Sequence, residues 1–132
     1  MTSEKRFAGC GWLWYDHYGF DEVNSWMLAR KEFSLDEVPS SAELAVTADT
    51  RYKLYVNGEF VSFGPARGFP SPYPFDIVDI APFLKKGANV LAAIAHQVGH
   101  GTFQSIYAGA AGFIAQGNAG GVDIGTKPGS WL

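Results

Sequence analysis

Residues 52–63 read YKLYVNGEFVSF, and this stretch decides the fold class. Two short runs rich in aromatic and β-branched residues flank the dipeptide Asn57-Gly58. A two-residue hairpin turn of type I′ needs a positive φ at both central positions, which asparagine and glycine tolerate best. The stretch therefore predicts an antiparallel hairpin with strands over 52–56 and 59–63.

Short runs of the same kind continue on both sides of the hairpin. Residues 26–35 alternate, which places four apolar side chains on an inward face: Met27, Ala29, Phe33 and Leu35. The opposite face is solvated and carries Arg30, Glu32 and Ser34. Further strands are predicted over 10–15, 75–80, 89–95, 105–107 and 112–116. Another strand has Leu44, Val46 and Ala48 on its inward face. Residues 64–74 are rich in proline and are predicted to form an irregular loop. Many short strands separated by turn signals indicate an all-β chain folded as an antiparallel β-sandwich.

The composition narrows the function classes. The chain has 132 residues, 47% of them hydrophobic and 17% charged, with a net charge of -3. This length suits one domain, and the apolar content excludes disorder. The mild acidity excludes nucleic acid as a partner, because phosphate binding needs clustered lysine and arginine. Residues 87–122 contain no Asp, Glu, Lys or Arg, but polar residues interrupt the run, so no membrane span is predicted.

The cysteine count and the two ends of the chain bear on its location and extent. Cys10 is the single cysteine, so no internal disulfide is possible, which favours a reducing compartment. Residues 1–7 lack the apolar core of a signal peptide, which favours the cytoplasm unless a signal peptide has been removed. The polar tail ends one residue after Trp131, which indicates a chain cut from a longer one.

Two residue pairs have spacings that suggest catalytic or metal chemistry, and neither fits it. His96 and His100 are four apart, as in helical zinc pairs, but a hydrogen-bonding role is favoured because Gly99 lies inside the span. Asp76 and Asp79 point to opposite faces of a strand, which favours turn and loop hydrogen bonds over a glycosidase pair. We therefore predict no catalytic residue, no metal site and no cofactor in this chain.

Residues 48–58, followed by Gly64-Pro65-Ala66-Arg67, resemble the N-terminal β-sandwich domain of bacterial α-L-rhamnosidases. Residues 73–91 and 96–104 continue the resemblance, which runs from Trp12 to Trp131. The hairpin and the Phe-Asp-x-x-Asp-Ile turn are also similar to the sugar-binding jelly-roll domain of β-galactosidase and β-glucuronidase relatives.

The resemblance implies a jelly-roll sandwich of the galactose-binding-domain type, with residues 1–132 forming one domain of a larger glycoside hydrolase. Catalysis in that family belongs to a helical barrel farther along the chain, so this chain alone is expected to be inactive. The implied function is that of an accessory domain, which aids substrate recognition and packs against the catalytic barrel. Its implied partners are the other domains of the parent enzyme and rhamnose-containing carbohydrate.

Four residues are candidates for sugar binding if the domain has that role. Arg67 and His100 would form hydrogen bonds with hydroxyl groups, while Tyr73 and Trp14 would stack on the apolar faces of sugar rings. Structural roles stay open for two of them: Trp14 in the core, and Arg67 paired with a nearby carboxylate.

Two other functions stay open. A purely structural module between domains, without any ligand, fits the low charge and the many apolar residues. A stand-alone small lectin requires 132 residues to be the entire gene product.

Overall fold

The computed structural model describes residues 3–14, 24–65, 74–97 and 112–132. The strand predicted over 105–107 and most of the predicted loop over 64–74 lie outside these ranges. The described elements, in chain order, are helix α1 (Ser3–Arg6), strands β1 (Ser25–Leu35), β2 (Glu43–Ala48), β3 (Arg51–Val56), β4 (Glu59–Gly64) and β5 (Asp76–Asp79), a 3₁₀ turn (Ala81–Phe83), and strands β6 (Gly87–Gln97), β7 (Phe113–Ala119) and β8 (Val122–Asp123). Within the described ranges, no helix has the length and apolarity needed to cross a membrane.

The strands form two sheets of four strands, each antiparallel throughout. The β1 sheet has the order β1-β6-β3-β4, and the β2 sheet has the order β5-β2-β7-β8. The main core lies between them, with fully buried side chains that include Leu44, Leu54, Leu91, Phe113 and Ile124. The predicted antiparallel β-sandwich is therefore confirmed.

The predicted hairpin is confirmed as β3 and β4. Asn57 has a φ of 51° and Gly58 a φ of 82°, the positive values that a type I′ turn requires. The Asn57 side chain also ties the turn to its surroundings: its Oδ1 accepts from Val90 N, and its Nδ2 donates to Phe83 O, both at 2.9 Å. Asn57 therefore has two roles: it adopts the positive φ of the turn, and its side-chain amide bonds to neighbouring backbone groups.

The alternation predicted for β1 is confirmed. Met27, Ala29 and Leu35 are buried on the inward side, while Arg30 and Glu32 are exposed. β1 pairs along its whole length with β6, which is an internal strand as its continuous apolar run predicts.

Strand β2 is buried on both faces. Ala45 and Ile114 face away from the main core, yet they are only 0% and 3% exposed. Phe7 packs over them and meets Phe75 edge-on, with ring centroids 5.5 Å apart. The N-terminal segment thus covers the outer face of this sheet over β2 and β7, which explains why β2 has an uninterrupted run of buried residues, while Ile77 on β5 stays 53% exposed.

Two predictions near the chain ends are corrected by the structure. The strand predicted over 10–15 is wrong for the described residues 10–14, where Leu13 alone forms a bridge, to Phe113. The sequence predicts no strand in the tail, but the tail contains β8 after a turn at Gly120-Gly121. Both glycines have positive φ, and the two-residue strand is too short to show alternation.

Candidate functional site

The residues flanking the three undescribed segments lie at one end of the sandwich. Strand register brings these termini together: Ser25 beside Gln97, Arg51 beside His96, Tyr52 beside Gly64, Val46 beside Asp76, and Ala48 beside Phe113. We name this the Gln97 end. The candidate residues Arg67, Tyr73 and His100 belong to segments outside the described residues, so their roles stay predictions.

A chain of buried polar side chains occupies the Gln97 end. Gln97 Nε2 donates to Asp49 Oδ2 at 2.9 Å, and Thr50 Oγ1 donates to Gln97 Oε1 at 3.1 Å. All three residues are at most 7% exposed. Burial of a carboxylate is costly unless hydrogen bonds compensate, so this network fixes the end of β6 against the β2–β3 connection. Neither Thr50 nor Gln97 was predicted as a functional residue, because no local pattern links the two.

A second polar contact joins the two sheets at the same end. The Tyr52 hydroxyl on β3 donates to Asp76 Oδ2 on β5. Burial and this hydrogen bond raise the pKa of Tyr52. Gly64 allows the approach, because a Cβ there would overlap the Asp76 carboxylate.

Asp79 lies at the other end of β5 and has a local role. Its Oδ1 accepts from Ala42 N at 2.9 Å and from Ala81 N at 3.0 Å, and these bonds lower the pKa of Asp79. The turn and loop hydrogen bonds predicted for this pair are thus confirmed for Asp79, whereas Asp76 instead accepts from the Tyr52 hydroxyl of the facing sheet.

The tryptophans near the N-terminus differ in their surroundings. Trp14 is half-buried and packs against the main core, which matches the structural alternative considered for it. Its proposed contact with sugar stays a prediction. Trp12 is 46% exposed, and its ring lies so close to Gly112 that a Cβ there would be 2.6 Å from it.

Trp26 and His96 form an aromatic pair on the outer face of the β1 sheet. Their rings are stacked at 3.8 Å with an interplanar angle of 7°, and Trp26 is 57% exposed. His96 Nε2 lies 2.9 Å from Asn24 Oδ1, which confirms its predicted hydrogen-bonding role. Burial, and secondarily the nearby Arg51 guanidinium, lower the pKa of His96 and favour the neutral ring.

The same sheet face carries further apolar side chains. Leu28 is 76% exposed, Phe60 51% and Phe63 73%, and the two phenylalanine rings are stacked. Cross-strand register places these positions in rows that also contain charged residues: Lys53 lies between Ile94 and Phe63, and Arg51 lies beside His96. We define the outer apolar face as Trp26, Leu28, Tyr55, Phe60, Phe63, Ala92, Ile94 and His96. A cluster of exposed apolar side chains with charged residues among and around it is typical of an interaction site.

The signal for this face was present in the sequence. Trp26 and Leu28 have the same parity in β1 as Arg30 and Glu32, the residues assigned to the solvated side. Because Arg30 and Glu32 are charged, the whole face was assigned to solvent, and the exposed apolar residues Trp26 and Leu28 were not recognised as an interaction surface.

Among the described residues, no three His, Cys, Asp or Glu side chains cluster closely enough to hold a metal ion. Chemically, the outer apolar face offers apolar or stacking contacts, whereas the polar side chains of Asp49, Thr50 and Gln97 at the Gln97 end are buried and bonded to one another.

The architecture places the chain in a fold class, the β-sandwiches that occur both in glycoside hydrolases and in lectins. A lectin from Pleurotus ostreatus in complex with GalNAc covers 95% of this chain with a TM-score of 0.62 and 18% identity, over 36% of its own chain. An α-L-rhamnosidase from Streptomyces avermitilis complexed with L-rhamnose covers 99%, with a TM-score of 0.70, 19% identity and 13% of its own chain.

The GH78 family rhamnosidase of Bacillus sp. GL1 is similar in sequence as well as in fold. The alignment covers 96% of this chain with 32% identity and a TM-score of 0.82. This chain spans only 13% of the length of that enzyme. No protein-family model and no curated protein sequence matches the chain. The resemblance predicted from the sequence is confirmed: the chain is similar, along nearly its whole length, to a domain-sized part of α-L-rhamnosidases.

Proposed function

We propose that residues 1–132 form a non-catalytic accessory domain of an α-L-rhamnosidase-type glycoside hydrolase. The observation that carries the proposal is the similarity to a rhamnosidase over 96% of this chain but 13% of the enzyme. A domain-sized match within a much longer enzyme is what an accessory domain would give. We call the longer chain that this proposal implies the parent protein.

The domain packs against its neighbours through the outer apolar face. Phe7 and the N-terminal segment cover the outer face of the β2 sheet over Ala45 and Ile114, whereas the β1 sheet leaves Trp26, Leu28 and Phe63 exposed. Apolar surface of this extent is stabilised by burial against another protein surface. The partner on this face is another domain of the parent protein.

The domain also aids recognition of rhamnose-containing carbohydrate. Arg67, Tyr73, Trp14 and His100 are the residues proposed to contact the sugar. Two of the similar proteins support a carbohydrate context, because one structure contains L-rhamnose and the other GalNAc.

The first experiment is the intact mass of the native protein in its source cells. A mass several-fold above 14.3 kDa supports the accessory domain. A mass near 14.3 kDa contradicts it and favours a stand-alone lectin.

We predict that Arg67→Ala weakens binding of L-rhamnose about 10-fold or more, because a hydrogen bond from a charged group contributes roughly 1.5–3 kcal/mol. Titration calorimetry on the 132-residue chain measures the change, and Arg30→Ala, on the outer face of β1, is the matched control. Circular dichroism must show that both variants fold. Loss of folding in Arg67→Ala would assign a structural role to this arginine, and absence of rhamnose binding in the unaltered chain would favour the module without a ligand.

A further inference from the structure

The free edge of β1 carries the beginning of another strand pairing. β1 is the edge strand of its sheet, with β6 on one side. On the other side, Arg30 N donates to Leu132 O and Leu132 N donates to Arg30 O, both at 2.9 Å. Two residues that exchange both bonds form the closely spaced pair of an antiparallel ladder. Leu132 is therefore in strand register with β1.

This register determines which β1 residues an added strand would meet next. Backbone groups of successive residues point alternately to the two neighbouring strands, so Leu28 and Trp26 direct their N–H and C=O groups to the same free edge as Arg30. An antiparallel segment continuing from Leu132 would pass Leu28 and then Trp26. Among the described residues, no backbone group other than those of Leu132 bonds to this edge.

The two halves of the edge differ in protection. Arg30 and Glu32 form an ion pair at 2.8 Å in one half, whereas the other half presents Trp26 and Leu28, exposed and uncharged. Natural proteins shield a long edge strand with charges, proline or bulges, or cover it with another segment. β1 runs for 11 residues, and its Trp26 half has no such charge. This half therefore has the character of an edge that is covered in the native protein.

An apolar groove lies beside the middle of β1, from Leu28 to Arg30. Its lining includes Leu28, Tyr55, Ala92, Ile94 and Leu132. In strand addition, backbone bonds supply affinity while pockets take alternate side chains of the added strand. The groove supplies such a pocket next to the unpaired backbone.

We propose that β1, from Arg30 to Trp26, pairs with an antiparallel strand formed by the polypeptide that continues from Leu132 in the parent protein. The β1 sheet then has five strands, and the added strand places apolar side chains in the groove. The proposal rests on the proposed function, because it requires a parent protein that extends beyond this domain.

Amide hydrogen exchange tests this pairing directly. We expect the Leu28 and Trp26 amides to exchange rapidly in the 132-residue chain and about 100-fold more slowly in the parent protein expressed at its natural length. The amide of Ala29, which points to β6, is the internal reference and should be protected in both.

A substitution at Leu28 separates pairing from folding. Leu28→Pro removes the N–H that faces the free edge, a position where sheets tolerate proline, so the 132-residue chain should stay folded. In the parent protein this variant should lose the protection at Trp26. Leu28→Ser is the matched control, because it shortens the side chain but keeps the N–H, and it should retain the protection.

The outcomes distinguish this proposal from the one it rests on. A parent protein in which Leu28 exchanges as fast as in the 132-residue chain overturns the strand pairing and leaves the accessory domain intact. A native mass near 14.3 kDa overturns both. The Leu28 amide could instead be protected already in the 132-residue chain, either in the monomer or in a dimer detected by sedimentation. Another segment would then pair with this edge, and this result also overturns the proposed pairing.

Discussion

Asn89 is a buried amide with every hydrogen-bonding group paired. Its Oδ1 accepts from Lys85 N and Asn57 Nδ2, both at 2.9 Å. Its Nδ2 donates to Lys85 O at 2.8 Å and to Gly87 O at 3.0 Å. A primary amide has two donors and two principal acceptor sites, so Asn89 is fully satisfied. It joins the turn of the β3–β4 hairpin to the chain entering β6.

We predict that Asn89→Ala lowers the free energy of unfolding by about 3 kcal/mol, because it leaves several backbone and amide groups without partners in a buried place. Urea denaturation measures the change. Asn118→Ala is the control, since that side chain accepts one exposed bond from Gly121 N at 2.8 Å. Its cost should stay below about 1 kcal/mol. Equal losses in the two variants would contradict the role given to Asn89.

Single residues differed in how far their roles could be predicted. Asn57 and Gly58 were predictable because a type I′ turn restricts their conformation locally. The partners of Gln97 were not, because Asp49 and Thr50 lie far from it in sequence and no local pattern links them. The four proposed sugar-binding residues were predicted from residue chemistry, and three of them lie outside the described residues.

At the scale of elements, the pairing of β2 with β7 depends on a close approach of two backbones. Gly117 lies opposite Leu44 in this ladder. A Cβ at Gly117 would be 2.6 Å from Glu43 O and 3.0 Å from Leu44 Cδ1. The first contact is with backbone, which cannot turn aside as a side chain can. The glycine therefore sets how closely the two strands approach.

We predict that Gly117→Ala lowers the free energy of unfolding by roughly 2–3 kcal/mol through this overlap. Thermal and urea unfolding measure the change. Gly11→Ala is the matched control, because its added Cβ would make an ordinary contact at 3.8 Å with Thr126 O. If both variants lost the same stability, the overlap at Gly117 would not be the cause.

Elements with a strong local pattern were predicted, and elements defined by distant contacts were not. β1 was predictable from its alternation, and β6 from its continuous apolar run. The bridge at Leu13 and the short strand β8 form because segments near the two chain ends pair with β7. Such tertiary contacts leave no periodic pattern in the local sequence. The covering of the β2 sheet by Phe7 has the same origin.

The whole molecule is asymmetric. In the β2 sheet the N-terminal segment covers the outer side over β2 and β7, and in the β1 sheet the outer side presents the outer apolar face. The isolated domain therefore exposes on one side the kind of surface that proteins bury in permanent interfaces. Under the proposed function, this asymmetry makes the outer apolar face the side that meets a neighbouring domain.

We predict that Leu28→Ser combined with Phe63→Ser lowers self-association of the isolated 132-residue chain at least several-fold, because both substitutions remove exposed apolar surface from this face. Sedimentation velocity over a range of concentrations measures the effect. Val38→Ser is the matched control, since Val38 is 45% exposed and lies between β1 and β2, outside the face. Unchanged association of the double variant, or an equal effect of the control, would show that contact occurs elsewhere.

The pairing of β1 with β6 also determines when this domain can form on the ribosome. Ser25 pairs with Gln97, so the first long strand has no neighbour in its own sheet until most of the chain has been synthesised. At roughly 5–20 residues per second, the 72 residues that follow Ser25, as far as Gln97, take about 4–14 seconds to synthesise, and β1 lacks its sheet partner for that time. Trp26 and Leu28 are then available to chaperones throughout that interval. The order of strands in the sheet thus makes the folding of this domain a late event in its own translation.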